Sequence, residues 1–222
     1  MEGPHFESQR RKGDPLAARP RIHGSKYVDA LPEQDQQLEN AIVMGDLAWV
    51  KDAVKKGANV NCRVDEKGST PLMLACEGGW AHLVRYIVEN TDVDLDSVDS
   101  GGFNATDVSA YHGFLSWEDR GRNADVADIV TYLKDKGLEY TWRGAVIGGD
   151  VDRINEFLEN GQDIEERTGY FCEGNYQYTG FQMAMKFGRM NIARYLMVLG
   201  AVCPRDICEM QMPYESELRG FT

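Results

Sequence analysis

The sequence predicts an all-α fold in which short helix–turn–helix units stack on one another. One observation is a block, residues 65–90, in which a glycine pair separates two short apolar runs. A second is that similar runs and glycines return along the rest of the chain. Because a helix pair this short cannot bury both of its faces alone, each unit needs neighbours to stack on. The predicted fold is therefore a solenoid of repeats.

The block carries start and stop signals for both of its helices. The hydroxyl of Thr70 can cap the first helix, and Pro71 suits its first position, where no N–H is needed. The pair Gly78-Gly79 then breaks the helix and allows the chain to reverse. The second run has the spacing of an apolar helical stripe, with Leu83, Val84, Ile87 and Val88.

This block resembles an ankyrin repeat, in which Thr-Pro-Leu follows a glycine turn and a further glycine separates two helices. The matching residues are Gly68, Thr70, Pro71, Leu72, Ala75 and Gly79, then Leu83, Val84, Tyr86 and Ile87. Met73 stands where the family usually has histidine. The resemblance implies an all-α ankyrin-repeat solenoid with short β-hairpin fingers between the helix pairs, flanked by irregular N- and C-terminal tails.

Five repeats can be placed along the chain. Their approximate bounds are 36–64, 65–98, 99–137, 138–166 and 167–201, between an N-terminal arm, 1–34, and a C-terminal tail, 202–222, that is predicted to cap the last repeat. Repeats one and four match at an offset of 104 residues, which aligns Gly45-Asp46 with Gly149-Asp150. Gly57 suits the left-handed position that ends a helix, and residues 59–61 are predicted to form a hairpin strand.

The later repeats depart from the regular pattern. In repeat three, residues 114–126 are inserted between the helices, and this insert with Trp117 is either a lid on its own repeat or a projecting contact loop. The hairpin between repeats three and four is largely missing. The hairpin of repeat five is long, and its aromatic rings either fill that gap or contact a partner. These rings belong to Tyr170, Phe171, Tyr176 and Tyr178.

The net charge and the hydropathy of the sequence argue against a nucleic-acid-binding protein and against a membrane-spanning protein. The formal net charge is −12; residues 1–26 carry six basic and three acidic groups, a net of +3, which leaves −15 for the remainder. An acidic body repels nucleic acid and anionic membranes, so no nucleic-acid partner is expected. No apolar run approaches the roughly 20 residues that cross a bilayer, and the N-terminus lacks the apolar core of a signal peptide. We therefore expect a cytoplasmic protein without membrane insertion.

The N-terminal arm has four prolines and neither helical nor strand periodicity. It is either a disordered tail or a docking arm that contacts an acidic partner surface. The docking residues would be Arg10, Arg11, Arg19 and Arg21. An acidic cytoskeletal polymer, or another subunit of a large assembly, would offer such a surface.

No pattern in the sequence favours an enzyme. Catalysis needs a nucleophile, base or metal set at convergent positions, and the four histidines are scattered. The five cysteines are odd in number and irregularly spaced, so neither a disulfide framework nor a zinc site is expected. Aspartates alternate through 92–99, where a solvated hairpin is favoured over calcium because the EF-hand glycine and glutamate are missing. No cofactor, metal or small-molecule substrate is expected.

The ankyrin resemblance implies that a protein partner lies against the hairpin tips and the concave side of the first helices. Residue by residue, it selects Asp65, Glu66, Lys67, Ser69 and Met73 in repeat two, Phe103 and Asp107 in repeat three, and Tyr176, Tyr178 and Gln182 in repeat five. It also suggests hydroxylation of Asn61. The expected function is an adaptor or structural subunit of a larger assembly. The alternative is a regulatory protein that occludes or targets an enzyme.

Overall fold

The computed structural model describes residues 31–115, 120–167 and 178–203, with the side chains of 113–125 outside that description. Within these ranges the chain forms ten helices in five consecutive pairs. They are α1 (Glu33–Met44), α2 (Leu47–Lys55), α3 (Pro71–Glu77), α4 (Ala81–Asn90), α5 (Ala105–Leu115), α6 (Arg120–Asp135), α7 (Trp142–Gly148), α8 (Val151–Glu159), α9 (Gly180–Lys186) and α10 (Met190–Val198). The predicted all-α repeat fold is confirmed.

The chain divides into two compact units between Asp94 and Leu95. In the first unit, α1 packs against α2 and α3, and α4 packs against α3 and α2. In the second unit, α7 packs against α5, α8 and α9, while α6 packs on α5 and α10 on α9. First helices therefore stack on first helices within each unit, as a repeat architecture requires.

Each unit has its own apolar core between its helices. In the first unit the side chains with no solvent exposure include Leu38, Ile42, Val50, Leu83 and Ile87. In the second unit they include Ile147, Ile154, Ile192 and Leu196. Burying one such side chain stabilises a fold by about 1.5–3 kcal/mol. The helical stripes read from the sequence are thus the surfaces that hold each unit together.

The start of α3 follows from two adjacent residues, as predicted. Thr70 is extended, and its hydroxyl accepts a hydrogen bond from the amide of Met73 at 3.3 Å. Pro71 occupies the first helical position, where its missing N–H costs nothing. The amide of Thr70 in turn lies 3.4 Å from the sulfur of Met73. The unusual methionine of this repeat therefore takes part in the cap itself.

Repeats one and four use the same turn between their two helices. Gly45 and Gly149 adopt left-handed conformations with φ of 69° and 80°. The next residue caps the second helix in both repeats, because Asp46 accepts from the amide of Trp49 at 3.1 Å and Asp150 from that of Arg153 at 3.0 Å. The match at an offset of 104 residues therefore corresponds to one shared turn.

Gly45 also gives a stability prediction, because a Cβ at this position would lie 3.0 Å from the ring of Trp80. The matched control is Gly57, which has a φ of 89° but no atom within 4 Å of such a Cβ. Gly57→Ala should cost about 1–2 kcal/mol of backbone strain. Gly45→Ala should cost about 1–3 kcal/mol more, since the indole must also move. Urea unfolding of both variants checks this, and equal losses would contradict it.

Side chains of several repeats donate hydrogen bonds to the main chain of a neighbouring segment. In the first unit, Asn61 donates to the carbonyl of Asp92 at 3.0 Å and accepts from the amide of Asp94 at 2.8 Å. The Nε2 of His82 lies 3.1 Å from the carbonyl of Gly45. In the second unit, the Nε of Arg189 donates to the carbonyl of Ile147 at 2.6 Å. We call these contacts the main-chain links.

Three expectations need correction. Residues 59–61 form a turn and no strand, because the side chain of Asn59 accepts from the amide of Asn61 at 2.9 Å. The insert of repeat three is largely helical, since α6 begins at Arg120 and only 116–119 of the predicted loop lie outside the described residues. Cys62 and Cys76 are free thiols, whereas Cys203 is disulfide-bonded although no disulfide framework was expected.

Candidate protein-interaction surface

The second finger, residues 63–69, is a tight turn built around one carboxylate. The Oδ1 of Asp65 accepts from the amide of Ser69 at 2.8 Å, and its Oδ2 accepts from the hydroxyl of Ser69 at 2.8 Å. The amide of Gly68 donates to the carbonyl of Asp65 at 3.0 Å, and Val64 donates to Ser69 at 2.9 Å. Asp65 and Ser69 therefore hold the turn, while Glu66 at its tip is exposed to solvent.

The third finger, residues 99–103, repeats this design 34 residues later. The Oδ1 of Asp99 accepts from the amides of Gly101 at 2.8 Å and Phe103 at 2.9 Å. Gly102 has a φ of 74°, close to the 73° of Gly68. An aspartate followed three residues later by a left-handed glycine therefore specifies the turn in both fingers. The two predicted hairpins form as hydrogen-bonded turns without strands in the described chain.

The fourth repeat is joined to the third through a buried carboxylate. Asp107 has no solvent exposure, and it accepts from the amide of Thr141 at 3.0 Å, the hydroxyl of Thr141 at 2.7 Å and the amide of Asn104 at 3.1 Å. Asn104 donates from its side chain to the carbonyl of Glu139 at 2.8 Å. Thr106 donates to the carbonyl of Leu138 at 2.9 Å. We call Asn104, Asp107 and Thr141 the junction network; it secures the chain where the hairpin is missing.

Burial sets the electrostatics of the junction network. Desolvation raises the pKa of Asp107 to about 6, although the hydrogen bonds from Thr141 and Asn104 oppose this rise. Desolvation likewise lowers the pKa of Arg143, whose guanidinium carbon lies 5.5 Å from the centre of the Phe103 ring. Within the described residues, the Nη1 of Arg143 is buried without a hydrogen-bond partner. The planar guanidinium of Arg143 therefore packs over Phe103 of the third finger.

The stability of the fold should therefore depend on pH through Asp107. Its pKa is raised from 3.8 to about 6 in the folded state, so the folded state binds the proton more tightly than the unfolded state. The contribution of Asp107 to the free energy of unfolding should be fully present below pH 4 and be lost, by about 3 kcal/mol at 1.36 kcal/mol per pKa unit, as the pH rises to about 6. Urea unfolding at several pH values measures it. The Asp107→Asn variant is the control and should lack this component.

Four of the predicted contact residues lie inside the fold and are not presented to a partner. Met73, Phe103 and Asp107 are 1%, 7% and 0% exposed, and Ser69 is also buried. The physical reason is that Met73 and Asp107 stand at the third position of a helix, where the side chain turns back to the cap. Phe103 lies under Arg143. These residues shape the fingers and do not form their outer surface.

The remaining predicted residues fall into two groups. Asp65, Lys67, Tyr178 and Gln182 are half-buried. Gln182 accepts from the amide of Thr179 at 3.0 Å as part of a helix cap, and Tyr178 packs beside Lys186, whose ammonium lies 4.8 Å from the ring centre. A second group lies outside the residues or side chains that the structure describes, namely Arg10, Arg11, Arg19, Arg21, Trp117, Tyr170, Phe171 and Tyr176.

The described residues offer little for catalysis or metal binding. Burial raises the pKa of the Cys62 thiol to about 12, so it is protonated at neutral pH and is a poor nucleophile. Among residues 31–115, 120–167 and 178–203, no three metal-ligating side chains are grouped. No helix in this part of the chain is long and apolar enough to cross a membrane.

The junction network was not recognised from the sequence, although a local signal exists. Asn104 stands before α5 and Asp107 three residues later, which is the spacing of a reciprocal helix cap. The amide of Asp107 donates to the side chain of Asn104 at 2.9 Å, so the cap does form. Nothing local indicates that Thr141, 34 residues later, completes the network.

Comparison with known proteins finds a similarity to ankyrin repeats over part of the chain. Residues 38–141 match the family model for ankyrin repeats, described as three copies. The chain is 37% identical over 71 residues to human protein phosphatase 1 regulatory subunit 27, covering 32% of this chain and 45% of that protein. It is 30% identical over 129 residues to mouse ankyrin repeat and SAM domain-containing protein 6, covering 54% of this chain and 13% of that protein. The chain thus spans less than half the length of either relative.

Proposed function

We propose that this chain acts as an adaptor or structural subunit of a larger assembly, because residues 38–141 match the family model for ankyrin repeats, which indicate a protein–protein interaction module. The proposed contact surfaces are the solvent sides of the fingers, each taken within its own unit. The observation that carries this proposal is the second finger, in which Asp65 and Ser69 fix the turn and leave Glu66 outward. A turn fixed before binding loses little conformational entropy when a partner docks, which favours affinity.

A charge reversal at the finger tip tests the proposed surface. Crosslinking mass spectrometry of native material first identifies the partner. Glu66→Lys should then weaken binding about tenfold, because it replaces an exposed interface charge without touching the turn. The matched control is Glu159→Lys, which reverses an exposed charge at the end of α8 and is not part of either finger. Calorimetric titration measures both variants, and equal binding by Glu66→Lys and native protein would refute the finger proposal.

We propose the N-terminal arm as a second contact, directed at an acidic surface such as a cytoskeletal polymer or a neighbouring subunit in the cytoplasm. Its support is the sign of its charge, net +3 over residues 1–26 of a chain with a net charge of −12. Deleting residues 1–30 leaves α1 intact, since that helix begins at Glu33. Pull-down at physiological salt should show weaker binding after the deletion; unchanged binding would rule the arm out.

A second candidate function is regulation of an enzyme. The supporting observation is the similarity to a protein that is named a phosphatase regulatory subunit. Stoichiometry separates the two functions, because a structural subunit copurifies with its assembly in a fixed ratio whereas a regulator exchanges. Native mass spectrometry before and after dilution distinguishes a fixed ratio from a changing one.

A further inference from the structure

One face of the first unit carries a cluster of positive charge that the fingers do not share. It lies on the second helices, α2 and α4, which pack against each other. Lys51, Lys55 and Arg85 are exposed on these helices, and Tyr86 of α4 is half-buried. The ammonium of Lys51 lies 5.3 Å from the centre of the Tyr86 ring and so reaches from one helix to the other. We call these four residues the helix-face patch.

The patch differs in sign from the rest of its unit. Through its C-cap Lys56, α2 carries three lysines and Asp52, while α4 carries Arg85 and Glu89, which gives the two helices a net charge of +2. The other described residues of the first unit carry two basic and nine acidic groups, a net of −7. Lys56 pairs with Asp52 at 2.7 Å, and the other basic residues of the two helices, Lys51, Lys55 and Arg85, belong to the patch.

The side chains of the patch are suited to carboxylates. Lys51 and Lys55 stand four residues apart on one side of α2 and therefore point the same way. Tyr86 offers an apolar ring beside them, which can cover the methylene groups of an incoming acidic side chain. A long polyanion would also meet the acidic remainder of the molecule, whereas a short acidic segment would meet mainly the patch.

We propose that the helix-face patch binds a short acidic segment of a partner protein. The patch shares no residue with either finger, so the inference does not rest on the proposed function. A partner could occupy the fingers and the patch at once, and two linked contacts of modest strength would then give tight overall binding. The proposed ligand is an extended segment of about ten residues that carries several aspartate or glutamate side chains. This length is enough to cross the exposed faces of both α2 and α4.

The test uses the full chain and a fluorescein-labelled peptide of six alternating Glu-Ser pairs, followed by fluorescence anisotropy. The double variant Lys51→Glu with Lys55→Glu should weaken binding at least tenfold, because two attractions become two repulsions. The matched control is Lys136→Glu with Lys186→Glu, which changes net charge equally. Those lysines are also exposed and also lie over tyrosine rings, Tyr132 at 5.4 Å and Tyr178 at 4.8 Å. The control should change binding less than threefold.

Several results would overturn the proposal. Equal weakening by the two double variants would mean that net charge alone attracts the peptide. Equal binding of a Gln-Ser peptide would mean that the carboxylates are not recognised, and tighter binding of a twelve-nucleotide single strand would mean a nucleic-acid site.

The single variant Lys55→Glu controls for misfolding. Its exposed side chain can be changed with the melting temperature preserved, and it should weaken binding about threefold. Glu66→Lys should leave peptide binding unchanged, which separates this test from that of the fingers.

Discussion

Replacing Asp107 with alanine is expected to lower the free energy of unfolding by about 3 kcal/mol at neutral pH. The change removes the acceptor of three hydrogen bonds and leaves the amides of Asn104 and Thr141 buried without partners. Each orphaned buried donor costs about 1–3 kcal/mol, and relief of the buried charge offsets part of that loss. Urea unfolding of the full chain measures the change.

The Asp107→Asn variant shows how much of the lost stability comes from the missing hydrogen bonds and how much from the missing side-chain volume. Its side chain fits the same space, keeps one acceptor oxygen and carries no buried charge, so it should destabilise the fold less than the alanine variant does. Hydrogen exchange gives a local readout, because the amide of Thr141 should exchange faster in Asp107→Ala than in native protein. An alanine variant as stable as the native chain, with Thr141 still protected, would show that the junction network does not hold the fourth repeat.

The second large effect is expected at Gly144, in the first turn of α7. A Cβ added to this glycine would lie 1.6 Å from the Oδ1 of Asp107 and 2.9 Å from the ring of Tyr140. The carboxylate would have to leave its position and give up its bond from the amide of Thr141. Gly144→Ala should therefore cost about 3 kcal/mol, although alanine is normally the better helix former by about 1 kcal/mol. Chemical denaturation followed by circular dichroism measures this loss.

A double-mutant cycle identifies the cause of that loss. In an Asp107→Ala background the carboxylate is gone and only the Tyr140 ring remains close to the added Cβ, so adding Gly144→Ala should cost less than it does in the native background. Strictly additive losses in the double variant would contradict the proposed clash with the carboxylate. They would instead point to the contact with Tyr140 as the source of the destabilisation.

Turns and caps could be predicted wherever a few consecutive residues specify them. Thr70 with Pro71 and Gly45 with Asp46 satisfy the backbone locally, and the structure has both as predicted. Glycine spacing predicted the length of the insert in repeat three, as a lid or a contact loop, but it did not predict that most of the insert is helical. The structure shows that the second helix is longer in this repeat, with 16 residues in α6 against 10 in α4.

The candidate site was harder to predict. The resemblance to a repeat family assigns residues to positions in the repeat, but it does not tell which of their side chains are buried. Asp107 and Met73 occupy positions that face a partner in the family pattern, yet here both side chains turn back to their own helix caps. Arg143 was overlooked since only the folded chain brings its guanidinium over Phe103. Long-range pairs of this kind depend on how repeats stack, which local spacing does not encode.

The main-chain links have a consequence for how mutations act. The links made by Asn61, His82 and Arg189 contact backbone carbonyls or amides, which are nearly the same for every residue type. Substitutions on the accepting segment therefore leave the bond intact, whereas substitutions of the donating side chain remove it. At each such contact, the segment that offers its main chain should tolerate substitutions, whereas the residue that offers its side chain should not. A repeat can thus lose its consensus residues and remain attached, which is consistent with the divergence of these five helix pairs from one another.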